Sequence, residues 1–254
     1  MSKILVSGCL GAMGSTVVQA VRKENGCTLA GGFDLASSKQ SDFPIFASPA
    51  DCAGVDFDVV IDFSSPRTLP ALEEIARRKG CGLVLATTGY TEEQLSRIDA
   101  LSREVPMLLS ANMSLGIALL RQLCMKAAQT LRGFDIEIIE KHHNRKVDAP
   151  SGTALLLANS IRDVLPSEVR YTYDRHSRRQ KREPDEIGIH SMRGGSIPGE
   201  HEVIFAGPQE VISLSHTAYS RELFATGAVS AAKFLAGKPA GMYTMEQLIE
   251  AIAP

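Results

Sequence analysis

The chain has 254 residues, 44% hydrophobic and 22% charged, with a formal net charge of −2 at neutral pH. That length can bury one large core or two modest ones, and the composition is that of an ordinary globular protein, which excludes a disordered chain. Interspersed charges of both signs give no electrostatic basis for a nucleic-acid or anionic-membrane partner, and no segment approaches the ~20 apolar residues of a membrane span.

The first half alternates short apolar runs with helical patterns. Ile4-Leu5-Val6 reads as a buried strand, followed by a glycine loop and a helix through about Lys23. Further strands are expected at Thr28 to Phe33, Asp58 to Phe63, Gly82 to Thr87 and Pro106 to Ser110, with helices at Pro66 to Lys79 and Glu92 to Arg103. Continuous apolar strands separated by helices imply a parallel sheet covered on both faces. After Asn112 the texture changes. A long helix, about Leu115 to Leu131, leads into the alternating strand Phe134 to Glu140, and a helix spans about Ser151 to Leu165. Turn-rich alternating segments at Glu186 to Arg193, Glu200 to Ala206 and Glu210 to His216 read as a mixed or antiparallel sheet, and the chain ends helically at Ser220 to Leu235 and Thr244 to Ala253. The fold class is therefore α/β: a Rossmann-type doubly wound parallel sheet plus a smaller α+β domain with a mixed sheet. The basic cluster Arg178, Arg179, Lys181 and Arg182, followed by Glu183, Asp185 and Glu186, reads as a solvated loop.

Gly8-Cys9-Leu10-Gly11-Ala12-Met13-Gly14 sits between the first strand and the first helix. Glycines there tighten the turn and let the backbone approach a pyrophosphate seated on the helix N-terminus. Asp34 ends the second strand, where an acidic side chain accepts hydrogen bonds from the adenosine ribose and repels the additional phosphate of NADP. No arginine follows it, although Lys39 is near enough to offer a charge, so NADH is the expected preferred cofactor, with NADPH tolerated. Ala86-Thr87-Thr88 and Ser110-Ala111-Asn112-Met113 fall at the carboxyl ends of parallel strands, where small side chains leave room for a ribose-nicotinamide.

The densest chemistry lies from Glu140 to Ala154. His142, His143, Lys146 and Asp148 leave a strand and enter a loop, which meets a helix starting near Ser151. Pro150 and Ser151 suit a helix start, and the amides of Gly152 and Thr153, with the Thr153 hydroxyl, would face outward to bind a carboxylate. His142 and His143 can act as acid, base or hydrogen-bond donor near neutral pH, and Lys146 supplies a positive charge or a proton. Adjacent histidines at a strand end point to opposite sides and no third ligand is evident, so no metal site is expected. Five cysteines (Cys9, Cys27, Cys52, Cys81 and Cys124) without CxxC pairing suggest reduced thiols. The opening Met1 to Gly8 is too short an apolar run for a signal peptide, so a cytoplasmic location is expected.

Taken together, the glycine loop with Met13, Ile61-Asp62-Phe63, Thr87-Thr88-Gly89, Asn112, and above all Glu140-Lys141-His142-His143 through Lys146-Val147-Asp148-Ala149-Pro150-Ser151-Gly152-Thr153-Ala154 closely resemble the 4-hydroxy-tetrahydrodipicolinate reductase family. The resemblance extends over Arg193-Gly194-Gly195, Gly199-Glu200-His201 and Phe224 to Ala228. It implies a dinucleotide-binding domain of residues 1–112 and 221–254, a substrate-binding and oligomerisation domain of residues 113–220, and a homotetramer. It also implies NADH or NADPH reduction of a cyclic dicarboxylate in diaminopimelate and lysine biosynthesis. Carried over by position, His142 delivers a proton assisted by Lys146, although which of the two donates it stays open. His143, Gly152 and Thr153 hold the substrate's carboxylates, and Gly8 to Met13, Asp34, Ala86 to Thr88 and Ser110 to Met113 line the cofactor site. Two positions depart from the family. Met113 stands where an aromatic residue is frequent, and Leu35 stands where some members carry an arginine, which argues for NADH.

Two rival readings are weaker. An aspartate or homoserine dehydrogenase shares the nucleotide domain but not the segment after Glu140. A non-catalytic dinucleotide-binding regulator needs Gly8, Gly11, Gly14 and Asp34 but has no use for His142 and Lys146.

Overall fold

The computed structural model describes residues 1–35, 41–48, 50–52 and 54–253. Lys39 lies outside the described residues. The chain divides into two compact units, Met1–Leu115 with Arg221–Pro254, and Gly116–Ser220.

The first unit is built on a seven-stranded sheet. Its strands are β1 (Ser2–Ser7), β2 (Cys27–Phe33), β3 (Ile45–Phe46), β4 (Val59–Asp62), β5 (Gly82–Leu85), β6 (Pro106–Leu109) and β12 (Gly241–Tyr243). All pair in parallel, in the order β12-β6-β5-β4-β1-β2-β3. The order reverses between β1 and β4, and that switch point is where doubly wound sheets open a crevice at the strands' carboxyl ends. The helices are α1 (Ala12–Lys23), α2 (Leu69–Lys79), α3 (Glu92–Ser102), α6 (Glu222–Leu235) and α7 (Met245–Ile252). Strand side chains alternate between faces. Leu5, Val60, Leu83 and Leu85 join Leu69, Leu72, Ile75, Ile98 and Leu101 of α2 and α3 in one buried cluster. Their sequence neighbours Ile4, Val6, Val59, Ile61 and Val84, also buried, point to the other face. There α1 packs on β1 and β2, and α6 packs on β4, β5 and α1. The starts of α3 and α7 are fixed by capping boxes, Thr91 with Gln94 and Thr244 with Gln247.

The second unit pairs β11 (Val211–Thr217), β10 (Glu200–Ala206), β7 (Asp135–His142), β9 (Glu186–Arg193) and β8 (Arg170–Thr172) in that order. The sheet is mixed: β10 is antiparallel to both β11 and β7, whereas β9 is parallel to β7 and β8. Helices α4 (Leu115–Thr130) and α5 (Gly152–Arg162) cover one face, with Ile117, Leu120, Leu157 and Ile161 packed among Ile136, Ile138, Ile189, Val203 and Phe205. Period-two alternation places Glu137, Lys141 and Glu202 on the opposite face.

Three short strands, β3, β8 and β12, were not expected from the sequence. Each has only two or three residues, too few to show a period. The basic cluster also requires a correction. Arg178, Arg179 and Lys181 are exposed, but Arg182 turns inward. It donates to Asp135 Oδ1 at 2.8 Å, to Glu137 Oε1 at 3.1 Å and to the Ile136 and Glu186 carbonyls. Partial burial of the Glu137 carboxylate beside β9 supplies the physical reason, because an ion that loses water must find a partner. Among the described residues no helix is long and apolar enough to cross a membrane.

Candidate active site

In the first unit, Gly8, Cys9, Leu10 and Gly11 form the turn after β1, and Ala12 and Met13 open α1. Gly11 N–H donates to the Gly8 carbonyl at 2.9 Å, which closes the turn. Gly8 has φ +74, and a Cβ there would meet the Phe63 carbonyl oxygen at 2.7 Å. A Cβ at Gly14 would overlap the Gly8 carbonyl oxygen. Both glycines are therefore dictated by close approach of backbone to backbone. Gly14→Ala is expected to lower stability by about 1–3 kcal/mol, the scale of forced overpacking. Urea unfolding measures this, and an unchanged midpoint would show that the turn relaxes freely.

Asp34 follows β2, and its Oδ2 accepts from the Leu10 N–H at 3.1 Å. The acid is thus tied to the glycine loop. Two clefts open along the carboxyl ends of the strands. One, of about 240 Å³, is lined by Gly8, Gly11, Asp34, Leu35, Phe63 and Ser64 among others. The other, of about 260 Å³, is lined by Met13, Phe63, Ala86, Ala111, Met113, Arg221 and Phe224. Phe63 stands between the two. Backbone N–H groups at the start of α1, a tight glycine turn and an acid at the end of β2 fit a dinucleotide.

The remaining expected residues of this unit divide by direction. Ala86, Ala111 and Met113 line the second cleft, and Thr88 is exposed. Thr87 is buried instead: its hydroxyl donates to Asp62 Oδ2 at 2.6 Å and accepts from the Ser64 N–H at 3.0 Å. Ser64 Oγ donates to Asp62 Oδ1 at 2.5 Å. Burial pushes the Asp62 carboxyl up, against the hydrogen bonds from Ser64 and Thr87. This group braces the ends of β4 and β5 under the clefts. Ser110 and Asn112 shape their own turn, with Ser110 Oγ donating to the Asn112 carbonyl at 2.8 Å and Asn112 Oδ1 accepting from the Ser114 N–H at 2.9 Å. Burial pushes the Cys9 thiol up to about 11, so Cys9 acts as a small apolar filler.

In the second unit, β7 ends at His142, which is nearly buried. Its Nδ1 lies 2.6 Å from Glu140 Oε2. Glu140 itself is 0% exposed and receives Arg193 bidentately at 2.8 and 2.7 Å. Its Oε1 also accepts the Ser151 N–H at 3.1 Å. Burial alone raises the Glu140 carboxyl, but the hydrogen bonds from Arg193 and His142 outweigh it and hold the group down at about 2. Lys146 Nζ pairs with Asp148 at 2.8 Å. Ser151 caps α5 by accepting the Ala154 N–H at 3.1 Å, and its Oγ lies 2.9 Å from His201 Nε2. Burial, with His142 nearby, pushes the His201 imidazole down to about 4, so it is neutral at pH 7. Gly152 is exposed and Thr153 half-buried in the first turn of α5, and His143 is half-buried where β7 gives way to the loop.

The sequence alone assigned no role to Phe63, Phe224, Asp62, Glu140, Arg193 or His201. Glu140 had a legible signal, because residues two apart on a strand share a face. The others depend on tertiary placement. Among the described residues no group of three or more His, Cys, Asp or Glu side chains is placed to hold a metal ion.

Residues 2–113 match the family model for the dihydrodipicolinate reductase N-terminus, and residues 116–249 match that for its C-terminus. The 4-hydroxy-tetrahydrodipicolinate reductase of Caldanaerobacter subterraneus subsp. tengcongensis is 47% identical over 98% of this chain and 99% of its own. That of Clostridium novyi is 48% identical over 98% and 99%. Among solved structures, a dipicolinate-bound dihydrodipicolinate reductase from Paenisporosarcina sp. TG-14 superposes with a TM-score of 0.81 at 25% identity, over 96% of this chain and 97% of that one.

Proposed function

The chain belongs to the dihydrodipicolinate reductase family, and on that premise we propose how its residues reduce 4-hydroxy-tetrahydrodipicolinate to tetrahydrodipicolinate in diaminopimelate and lysine biosynthesis. In the balanced reaction a ring hydroxyl leaves as water with a hydrogen from the neighbouring ring carbon, which forms a C=C bond conjugated with the C=N bond. A hydride then adds to the far carbon of that C=C bond, and a proton adds to the neighbouring carbon of the resulting enamine. The nicotinamide cofactor, when bound, supplies the hydride. The protein's tasks are to hold the ring's two carboxylates, to orient the ring and to deliver the proton.

This reading is carried by Glu140, which ties His142 at the end of β7 to Ser151 at the start of α5, with Lys146 in the loop between them. His142 is the proton donor, and Lys146 is a cation in the loop that follows it. His143, the amides of Gly152 and Thr153 and the Thr153 hydroxyl hold the substrate's carboxylates. An eleven-residue helix with a capped N-terminus suits that charge. The dipicolinate in the Paenisporosarcina relative, a ring with two carboxylates, supports the same substrate chemistry. Gly8, Cys9, Leu10, Gly11, Ala12, Met13 and Asp34 form the adenosine and pyrophosphate side of the cofactor site. Ala86, Thr87, Thr88, Ser110, Ala111, Asn112 and Met113 form the nicotinamide side, with Thr87 acting through Asp62. Reduction with NADH deuterated at C4 of the nicotinamide is the test. The product should carry deuterium on a ring carbon, and an unlabelled product would contradict direct hydride transfer.

NADH is the preferred cofactor, with NADPH tolerated. Asp34 disfavours the additional phosphate, and exposed Leu35 offers it no charge. We expect kcat/KM for NADH to exceed that for NADPH by at least a few-fold, ~1 kcal/mol; equal or better use of NADPH refutes this. The helices of the second unit cover only one face of its sheet, and Val211 on the edge strand is 61% exposed, which supports a homotetramer assembled through this sheet. Five unpaired cysteines, four of them buried, support a cytoplasmic location.

A further inference from the structure

Glu140 lies on β7, two residues before the strand gives way to the loop, and each of its oxygens receives two donors. Oε2 accepts from His142 Nδ1 at 2.6 Å and from Arg193 Nη1 at 2.8 Å. Oε1 accepts from the Ser151 N–H at 3.1 Å and from Arg193 Nη2 at 2.7 Å. The lone pairs of the carboxylate are thereby filled, which is what an ion with no exposed surface requires. An ionised carboxylate is acceptor-only, so the proton between Glu140 and His142 resides on Nδ1. Nε2 is then the nitrogen left for exchange. It lies on the Gly199 side, 3.2 Å from where a Cβ of that residue would stand. The same carboxylate anchors the residue that caps α5, through the opposite oxygen. Arg193 extends the link by donating to the Asp148 carbonyl at 2.6 Å, within the loop that carries Lys146.

We infer that Glu140 is a positioning residue for the reaction. One buried carboxylate fixes the tautomer of the proton donor and, through Ser151, holds the carboxylate-binding start of α5 in register with it. This rests on the reading of His142 as proton donor and of Gly152 and Thr153 as carboxylate ligands. Without Glu140 the imidazole is free to adopt the other tautomer and to rotate, and the helix start loses its tether. The acid that delivers the proton and the cradle that holds the ring then lose their mutual registration.

The test uses the full chain with the substrate generated by the upstream synthase. Glu140→Gln keeps the shape and removes the charge. It should lower kcat by about 10²-fold, the usual contribution of a positioned acid, and raise the substrate KM a few-fold. NADH binding, which belongs to the first unit, should be unchanged. Proton delivery should become slower than hydride transfer, so the solvent deuterium effect on kcat should grow. That readout would not respond to a merely structural role. An active wild-type chain with undiminished kcat in Glu140→Gln overturns this inference alone. So does loss of activity together with NADH binding and an unchanged solvent effect. A folded wild-type chain that binds NADH and fails to turn over overturns the functional reading, and this inference with it. Should the variant not fold, long-range nitrogen–proton correlation spectra of the wild-type histidines at alkaline pH decide the matter. A proton on Nδ1 of His142 is expected, and a proton on Nε2 alone overturns the assignment.

Discussion

His142→Gln should lower kcat by about 10²-fold or more, the scale of lost general acid catalysis, and leave NADH binding unaffected. The expectation follows from placement. His142 ends β7, packs edge-on against His201 with ring centroids 5.2 Å apart, and places Nδ1 2.6 Å from the ionised Glu140, so that its Nδ1–H donates a hydrogen bond there. Only Nε2 remains to exchange a proton, and glutamine has no titratable group to substitute for it. Lys146→Met should have an effect of the same order, because it removes the cation that shares the loop. If the two residues act as a unit, the double variant should fall little further than the worse single one, since effects within a catalytic unit are not additive. Steady-state kinetics with the coupled substrate checks all three. Unchanged turnover in His142→Gln would remove that residue from the mechanism.

The second unit should lose stability in acid in two overlapping stages. His201 is buried neutral, with its pKa held down to about 4 from an ordinary 6.5. Between those values the unfolded chain binds a proton that the folded chain does not, so stability falls as the pH drops. Glu140 is held at about 2 from an ordinary 4.5. Its contribution is complete above the higher value and is lost as the pH falls through the lower one. The two signs agree. Each group contributes on the order of 3 kcal/mol at neutral pH, at ~1.4 kcal/mol per pKa unit, a large share of the ~5–15 kcal/mol typical of a folded domain. Hydrogen exchange of the β7 and β10 amides, followed downward from pH 7, should therefore accelerate beyond its intrinsic pH dependence. His201→Gln should flatten the upper stage and leave the lower one. A wild-type profile that stays flat to pH 4 would show that these groups are compensated elsewhere.

The longer elements were legible because each carries its own period. The bounds of β9 and β10 coincide with the expected Glu186 to Arg193 and Glu200 to Ala206, since alternation over seven or eight residues sets both register and ends. β3, β8 and β12 were not legible: a strand of two or three residues exists only because a neighbouring strand offers it hydrogen bonds. The same division runs through the site. The glycine loop and the His142 to Thr153 segment are local signals. The Asp62 and Thr87 pair is 25 residues apart in sequence, and Arg193 reaches Glu140 across 53. Neither pairing has a local signature. Arg182 illustrates the opposite error, because a charge run read as solvated contained one side chain that Glu137 draws inward.

The reaction itself can be followed as cofactor oxidation in a reconstituted system. Aspartate semialdehyde, pyruvate and the upstream synthase generate the labile substrate in place, and NADH absorbance is followed after addition of this protein. Oxidation that requires both the synthase and this chain is the predicted result. A folded protein that binds NADH and oxidises neither NADH nor NADPH under those conditions would contradict the assignment.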